Sequence, residues 1–356
     1  MFYKMGKRYY GCSIVFLIFI QSLCSQTGGR QIFQFLNLSS GARIAALGGM
    51  PIAWRANDPG IAFYNPSTLT KEMSGKIYFA HQFYFADISN GHAAYSYHAA
   101  KQDLNFQLGV HYINHGDLNR TDVYGNSLGS FKAKETDFYI GASKIIKERL
   151  SVGLNMQMIF SNLDVYTSSG LAFNSGVNYF NPEKNYTLTL LFKNAGFQLS
   201  KYNNESENLP FEIQLGFAKK LKHLPLIYHI SLQHLEKWNV RYDDPDLNDN
   251  SNLFGDVTKD KPFEKALGTM LRHVVIGAEL NVGKKENFSL RLGYNHLRKS
   301  DLSVTDYRSF SGLSAGFGIK IYKFKFDYSY AVYHLAGGTS QITISTNLNS
   351  FVKKEL

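Results

Sequence analysis

Cysteine is nearly absent from this chain: there are two, Cys12 and Cys24, both within the first 25 of 356 residues. Beyond them there is no thiol, which excludes disulfides, thiolate nucleophiles and cysteine-held metals from the rest of the protein. Long hydrophobic runs are missing as well. Apolar residues make up 44% and aromatics 15%, yet mean hydropathy is −0.22 and no stretch reaches the roughly 20 apolar residues a spanning helix needs. A helical membrane protein is therefore excluded. No G-x-S-x-G elbow is present, and His81, His92, His98, His111, His115 and His234 are scattered at no ligand spacing, so neither an enzyme nor a metal or cofactor site is expected.

The opening residues have the form of an export signal. Lys4, Lys7 and Arg8 precede an apolar run at 12–20, and Ser22-Leu23-Cys24-Ser25 forms a small-residue exit, so residues 1–25 read as a signal peptide cleaved between Cys24 and Gln26. The run is too short for a membrane anchor, and Leu23 stands where a lipoprotein signal has a small residue. Losing the three basic residues takes the formal charge from +10 to +7. That excess suits soluble loops or contact with anionic lipid and lipopolysaccharide; nucleic acid is not expected as a partner of an exported chain.

From residue 76 onward the pattern has a period of two. Leu104, Phe106, Leu108, Val110 and Tyr112 alternate with Asn105, Gln107, Gly109 and His111, while Val152, Leu154, Met156, Met158 and Phe160 face away from Gly153, Asn155 and Gln157. Fourteen such segments run from 76–88 to 339–351, with tight connections on one rim and longer ones, at 115–129, 200–210, 238–269 and 299–310, on the other. A soluble β-sandwich would also alternate, but strands of 10–15 residues with aromatics near their ends fit lipid better. The fold expected is all-β: a 14-stranded antiparallel transmembrane β-barrel over 76–351, with the tight rim periplasmic, the long loops extracellular and a short tail at 352–356.

Residues 26–75 do not alternate. Ile44, Leu47 and the Gly48-Gly49 break, then the turns at Asp58-Pro59-Gly60 and Asn65-Pro66, read as a compact plug for the barrel lumen. In the longest loop, Asp244, Asp246, Asn248 and Asn250 offer oxygen ligands for Ca²⁺, but Asp249 and Gly255 stand where a sharp-turn glycine and a bidentate glutamate belong. A solvated polar loop is the reading.

Several stretches resemble known outer-membrane proteins. Gln34-Phe35-Leu36-Asn37-Leu38, the 42–49 stretch Ala-Arg-Ile-Ala-Ala-Leu-Gly-Gly, Asn65-Pro66 with Leu69, Tyr179-Phe180-Asn181-Pro182-Glu183-Lys184-Asn185, and Leu209-Pro210-Phe211 are similar to FadL-like barrels and to the PorQ family among their relatives. Lys237-Trp238 with Tyr242-Asp243-Asp244-Pro245 more closely resembles the PorQ family of the type IX secretion system, relatives of PorV. That resemblance implies a non-enzymatic surface anchor working with a PorZ-like protein, a PorU-like sortase and a PorV-like barrel, which attach cargo to anionic lipopolysaccharide. Two functions follow as expectations. In the first, Trp238, Tyr242, Asp243 and Asp244 dock a PorZ-like partner, although Trp238 at a strand end equally suits anchoring at the membrane interface. In the second, the barrel is a FadL-like channel for hydrophobic solutes, with Ile44, Leu47 and Ile61 along the path.

Overall fold

The computed structural model describes residues 31–203, 205–241, 262–283, 286–302, 310–334 and 337–351. The signal peptide, the tail and most of the 238–269 loop lie outside them. Successive strands pair antiparallel into a closed ring: β1 (Lys76–Phe83), β2 (Ser89–Ala99), β3 (Leu104–Thr121), β4 (Ser127–Lys147), β5 (Leu150–Leu163), β6 (Tyr166–Asn181) and β7 (Tyr186–Ser200), then β8 (Glu212–Lys220), β9 (Leu226–Leu232), β10 (Val274–Val282), β11 (Phe288–Asn295), β12 (Leu313–Ile321), β13 (Phe324–His334) and β14 (Gly337–Asn347). β1 and β14 close it, in register from Lys76 opposite Asn347 to Phe83 opposite Ser340. Closure is what lipid demands, because an open edge would leave backbone donors and acceptors unpaired in hydrocarbon. The chain is thus a multi-pass outer-membrane β-barrel.

The two faces of the wall follow the two sets of alternating residues. On β5, Leu154, Met156, Met158 and Phe160 point outward and are exposed, while Asn155, Gln157, Ile159 and Ser161 between them are buried in the lumen. The same alternation places Asn105 and Gln107 of β3, Glu279 of β10 and Asp327 of β13 inside.

Several boundaries differ from the sequence expectation: the segments at 76–88 and 339–351 are strands only over Lys76–Phe83 and Gly337–Asn347, and three other differences have local causes. Residues 115–129 are not a loop: β3 and β4 continue as a hairpin to a turn at 122–126, where the Asp122 carboxylate accepts from the backbone N–H groups of Tyr124 (2.9 Å) and Asn126 (2.8 Å). This extension has no one-sided apolar pattern, and both of its faces are exposed, with Val123, Tyr124 and Leu128 at its tip. Residues 270–273 belong to a helix and its end rather than to a strand. Asn295 stops β11 by accepting from Arg298 N–H (3.1 Å), capping a short helix at residues 296–301, where strand was expected to 298 and loop beyond it.

If the distal hairpin stands clear of the bilayer, its amides at 117–121 and 127–132 exchange with solvent deuterium faster than those at 104–113 of the same sheet. Mass spectrometry of the barrel in liposomes reads this directly, and equal protection along β3 would place the hairpin in lipid.

Candidate functional site

Residues 31–75 precede the ring and form two short helices, α1 (Ala42–Ala46) and α2 (Pro59–Tyr64), joined by turns and 3-10 pieces. Each break has a local cause. Gly48 and Gly49 adopt φ of 85° and 94°, which lets Gly49 N–H return to the Ile44 carbonyl (2.9 Å) and end α1. Asp58 caps α2 by accepting from Gly60 N–H (2.9 Å), with Pro59 at the first helical position. Asn65 accepts from Ser67 N–H and, through its own amide, donates to the Ile52 carbonyl (2.8 Å), so Asn65-Pro66 folds the chain back.

An irregular segment leaves many carbonyls unpaired, and inward-facing wall residues supply the donors. Asn90 and Gln341 both donate to Ser39 O, Gln107 to Pro59 O, Asn178 to Ala53 O, Ser231 to Met50 O and Ser314 to Ala46 O. These donors come from β2, β14, β3, β6, β9 and β12, so the segment is held from around the whole ring. Glycines on the wall let it come close: a Cβ at Gly293 would sit 2.1 Å from Gly48 N, and one at Gly153 would sit 2.3 Å from the Pro66 carbonyl carbon. Ile44, Leu47, Asn65 and Pro66, singled out from sequence, are all buried here.

Sequence reasoning missed the charges. Arg43 donates to Glu279 Oε2 through Nη2 (2.6 Å) and Nε (3.0 Å), and its Nη1 lies 3.7 Å from Asp58. The other Glu279 oxygen is 3.5 Å from Arg291, which bonds Asp327 at 2.7 Å, and Lys325 approaches Asp327 at 3.5 Å. Three cations and three carboxylates thus form one balanced chain from the segment across β10, β11 and β13. Its signal in the sequence was the presence of Glu279, Arg291 and Asp327 on the inward rows of β10, β11 and β13.

Two further groups complete the lumen. Phe63 packs against His92 (4.9 Å between centroids), His111 (5.2 Å) and Tyr139 (4.8 Å). His92 contacts Ser40 O through Nδ1 (3.2 Å) and Tyr139 Oη through Nε2 (2.8 Å); since a carbonyl only accepts, Nδ1 carries the proton and the tyrosine hydroxyl donates to Nε2. Beside this, Ile32, Phe33, Phe35 and Leu36 of the segment form an apolar cluster with Ile113, Ile159 and Ala172 of the wall and Leu209. At the interface between the two groups, both His111 ring nitrogens, Asp137 Oδ1 and Gln157 Oε1 are buried with no partner among protein atoms.

Trp238 is elsewhere, on the long-loop rim. It is 68% exposed and stacks on His273 (5.4 Å), whose Nε2 lies 3.1 Å from the Trp238 carbonyl oxygen. The structure therefore does not join it to the lumenal residues. Tyr242, Asp243, Asp244 and the 243–252 stretch considered for Ca²⁺ lie outside the described residues. Among the described residues no group of three His, Cys, Asp or Glu side chains could hold a metal. Near Trp238, burial opposes a charge on His234, but its contact with Glu236 (3.3 Å) and the nearby Glu212 outweigh burial and raise its pKa.

No protein-family model and no curated protein matches the chain. Solved structures do. The Pseudomonas putida toluene transporter TodX aligns with a TM-score of 0.52 at 12% identity, over 88% of this chain and 98% of TodX. The deltaS2 mutant of the TodX monoaromatic hydrocarbon channel gives 0.51 at 12% identity, with the same coverage. A Pseudomonas aeruginosa FadL homologue aligns at 0.48 and 10% identity, over 87% of this chain and 98% of its own. What this chain is shown to share with the two TodX structures is the barrel fold.

Two outcomes test the electrostatic assignments. Glu279→Gln leaves Arg43 and Arg291 without their shared carboxylate and costs about 3–5 kcal/mol in denaturant unfolding, whereas Arg43→Met with Glu279→Leu costs clearly less. For His234, the raised pKa means its contribution is complete below about pH 6.5 and fades as pH rises through the folded value. His234→Gln accordingly lowers the thermal midpoint at about pH 6 and leaves it unchanged at about pH 9.

Proposed function

We propose that the barrel is an outer-membrane conduit for hydrophobic solutes, with residues 31–75 as a displaceable seal. The observation that carries this reading is the apolar cluster that residues 32–36 form against the inner wall of the barrel. Ile113 and Ile159 break the polar inward rows of β3 and β5, and they are covered by Ile32, Phe33, Phe35 and Leu36 rather than by lipid. A solute that displaced those four side chains would meet an apolar wall of matching chemistry. The unpartnered atoms of His111, Asp137 and Gln157 at its margin offer hydrogen bonds to a polar end group or to water. The likeness in fold to a toluene transporter supports the same class of cargo.

A second reading follows from the PorQ-like residues: a sealed barrel that anchors a PorZ-like surface protein, together with PorU-like and PorV-like partners, and touches lipopolysaccharide. The density of the seal favours it, since Arg43, Ala46, Leu47 and Phe63 are all buried and the charge chain fastens α1 to three strands. Crosslinking on intact cells followed by mass spectrometry would recover such a partner.

Displacement separates the two. Ala42 N–H donates to Thr343 Oγ1 (2.9 Å), so the two residues are neighbours, and cysteines at both positions, with loss of free thiol on oxidation confirming the bond, lock the segment to β14. As a conduit, the locked protein loses uptake of a small aromatic hydrocarbon into liposomes and regains it with dithiothreitol. Uptake that is the same oxidised and reduced would reject displacement of the segment, and no uptake in either state would favour the anchor.

A further inference from the structure

Helix α3 (Pro262–Arg272), which leads into β10, is turned inside out relative to an ordinary surface helix. Phe263, Leu267, Met270 and Leu271 occupy one face at i, i+4, i+7 and i+8, and they are 77%, 45%, 57% and 40% exposed. The face that packs on the protein is polar and small. Thr269 is 6% exposed, Gly268 faces Arg241, and Arg272 pairs with Asp301 (3.1 Å) of helix α4 (His296–Asp301). A helix in water gains nothing by burying threonine and arginine while exposing phenylalanine and methionine; the arrangement is stable where the outside is apolar.

The wall below the helix tells what that outside is. β8, β9, β10 and β11 have 9, 7, 9 and 8 residues, against 14 and 16 in β5 and β6. At about 3.3 Å per residue and a tilt of about 40°, a seven-residue strand gives roughly 18 Å of height, short of the apolar band of about 25 Å. Helix α3 stands at the long-loop end of this short side. Its apolar face leads, through His273, into the outward row of β10, where Ile276 is exposed, and the exposed Leu290 and Leu292 of β11 lie alongside. Trp238 stacks on that same His273. We infer that helix α3 and Trp238 lie in the outer leaflet of the bilayer, at the boundary between acyl chains and head groups, and complete the lipid-facing belt where the strands fall short. Lys265, on the polar side, and Lys237, beside Trp238, meet anionic head groups in this placement.

The experiment uses the full-length mature barrel in liposomes. Trp54→Phe leaves Trp238 as the sole tryptophan of the chain, which has two. Separate nitroxide labels at Leu267→Cys, Phe263→Cys and Lys265→Cys report oxygen against a water-soluble nickel chelate, and heat-modified gel mobility confirms folding of each variant. Outer-leaflet placement predicts that lipids brominated near the head-group end of the chain quench Trp238, and that the labels at 263 and 267 meet oxygen more than chelate, with the reverse at 265. The inference is overturned if the chelate reaches 263 and 267 as readily as 265. It is equally overturned if spin–spin broadening shows a second copy on that face, or if Trp238 is unaffected by brominated lipid.

Discussion

An irregular chain buried inside a barrel must find a donor for nearly every carbonyl it carries, and in this protein the wall provides them. Asn90, Gln107, Asn155, Asn174, Asn178, Gln341 and several serines reach inward and donate to the backbone of residues 39–69. Most of the rest follows from that requirement. The inward rows are rich in asparagine, glutamine and serine because those side chains are short, neutral donors; glycine recurs among them where the backbone of the segment touches the wall. A buried acceptor left unpaired costs about 1–3 kcal/mol, so the segment and its wall residues depend on each other.

The charge chain adds direction to this fit. A neutral donor can shift to a neighbouring carbonyl at small cost, but the Arg43 guanidinium, set between Glu279 and Asp58, has one arrangement that leaves no charge uncompensated. It fixes α1 against β10, and through Arg291 and Asp327 against β11 and β13. The segment is therefore held by two kinds of force, a distributed neutral one and a localised ionic one.

Much of the barrel was legible because lipid enforces the alternation along every strand that crosses it. Where lipid ends, legibility ends: the distal part of the β3–β4 hairpin carries no one-sided pattern and read as a loop, and the strand ends at 270–273 and 296–298 hid helices set by Asn295 and by the amphipathic 262–272 stretch. Within the lumen, Gly48-Gly49 and Asn65-Pro66 were visible because turns need particular residues. The pairing of Arg43 with Glu279 was not, because it joins positions 236 apart and only closure of the ring brings them together. Phe35 and His111, stacked at 5.4 Å, are hidden for the same reason.

One carbonyl bears on how the molecule is made. Ser39 O accepts from Asn90 of β2 and from Gln341 of β14, the strands that flank β1 on either side of the seam. The pairing of β1 with β14 is the least local in the chain, and its search entropy is the largest that assembly must overcome. Ser39 O therefore spans the seam from inside: one backbone atom of the segment joins the second strand of the ring to the last, in parallel with the ladder between β1 and β14.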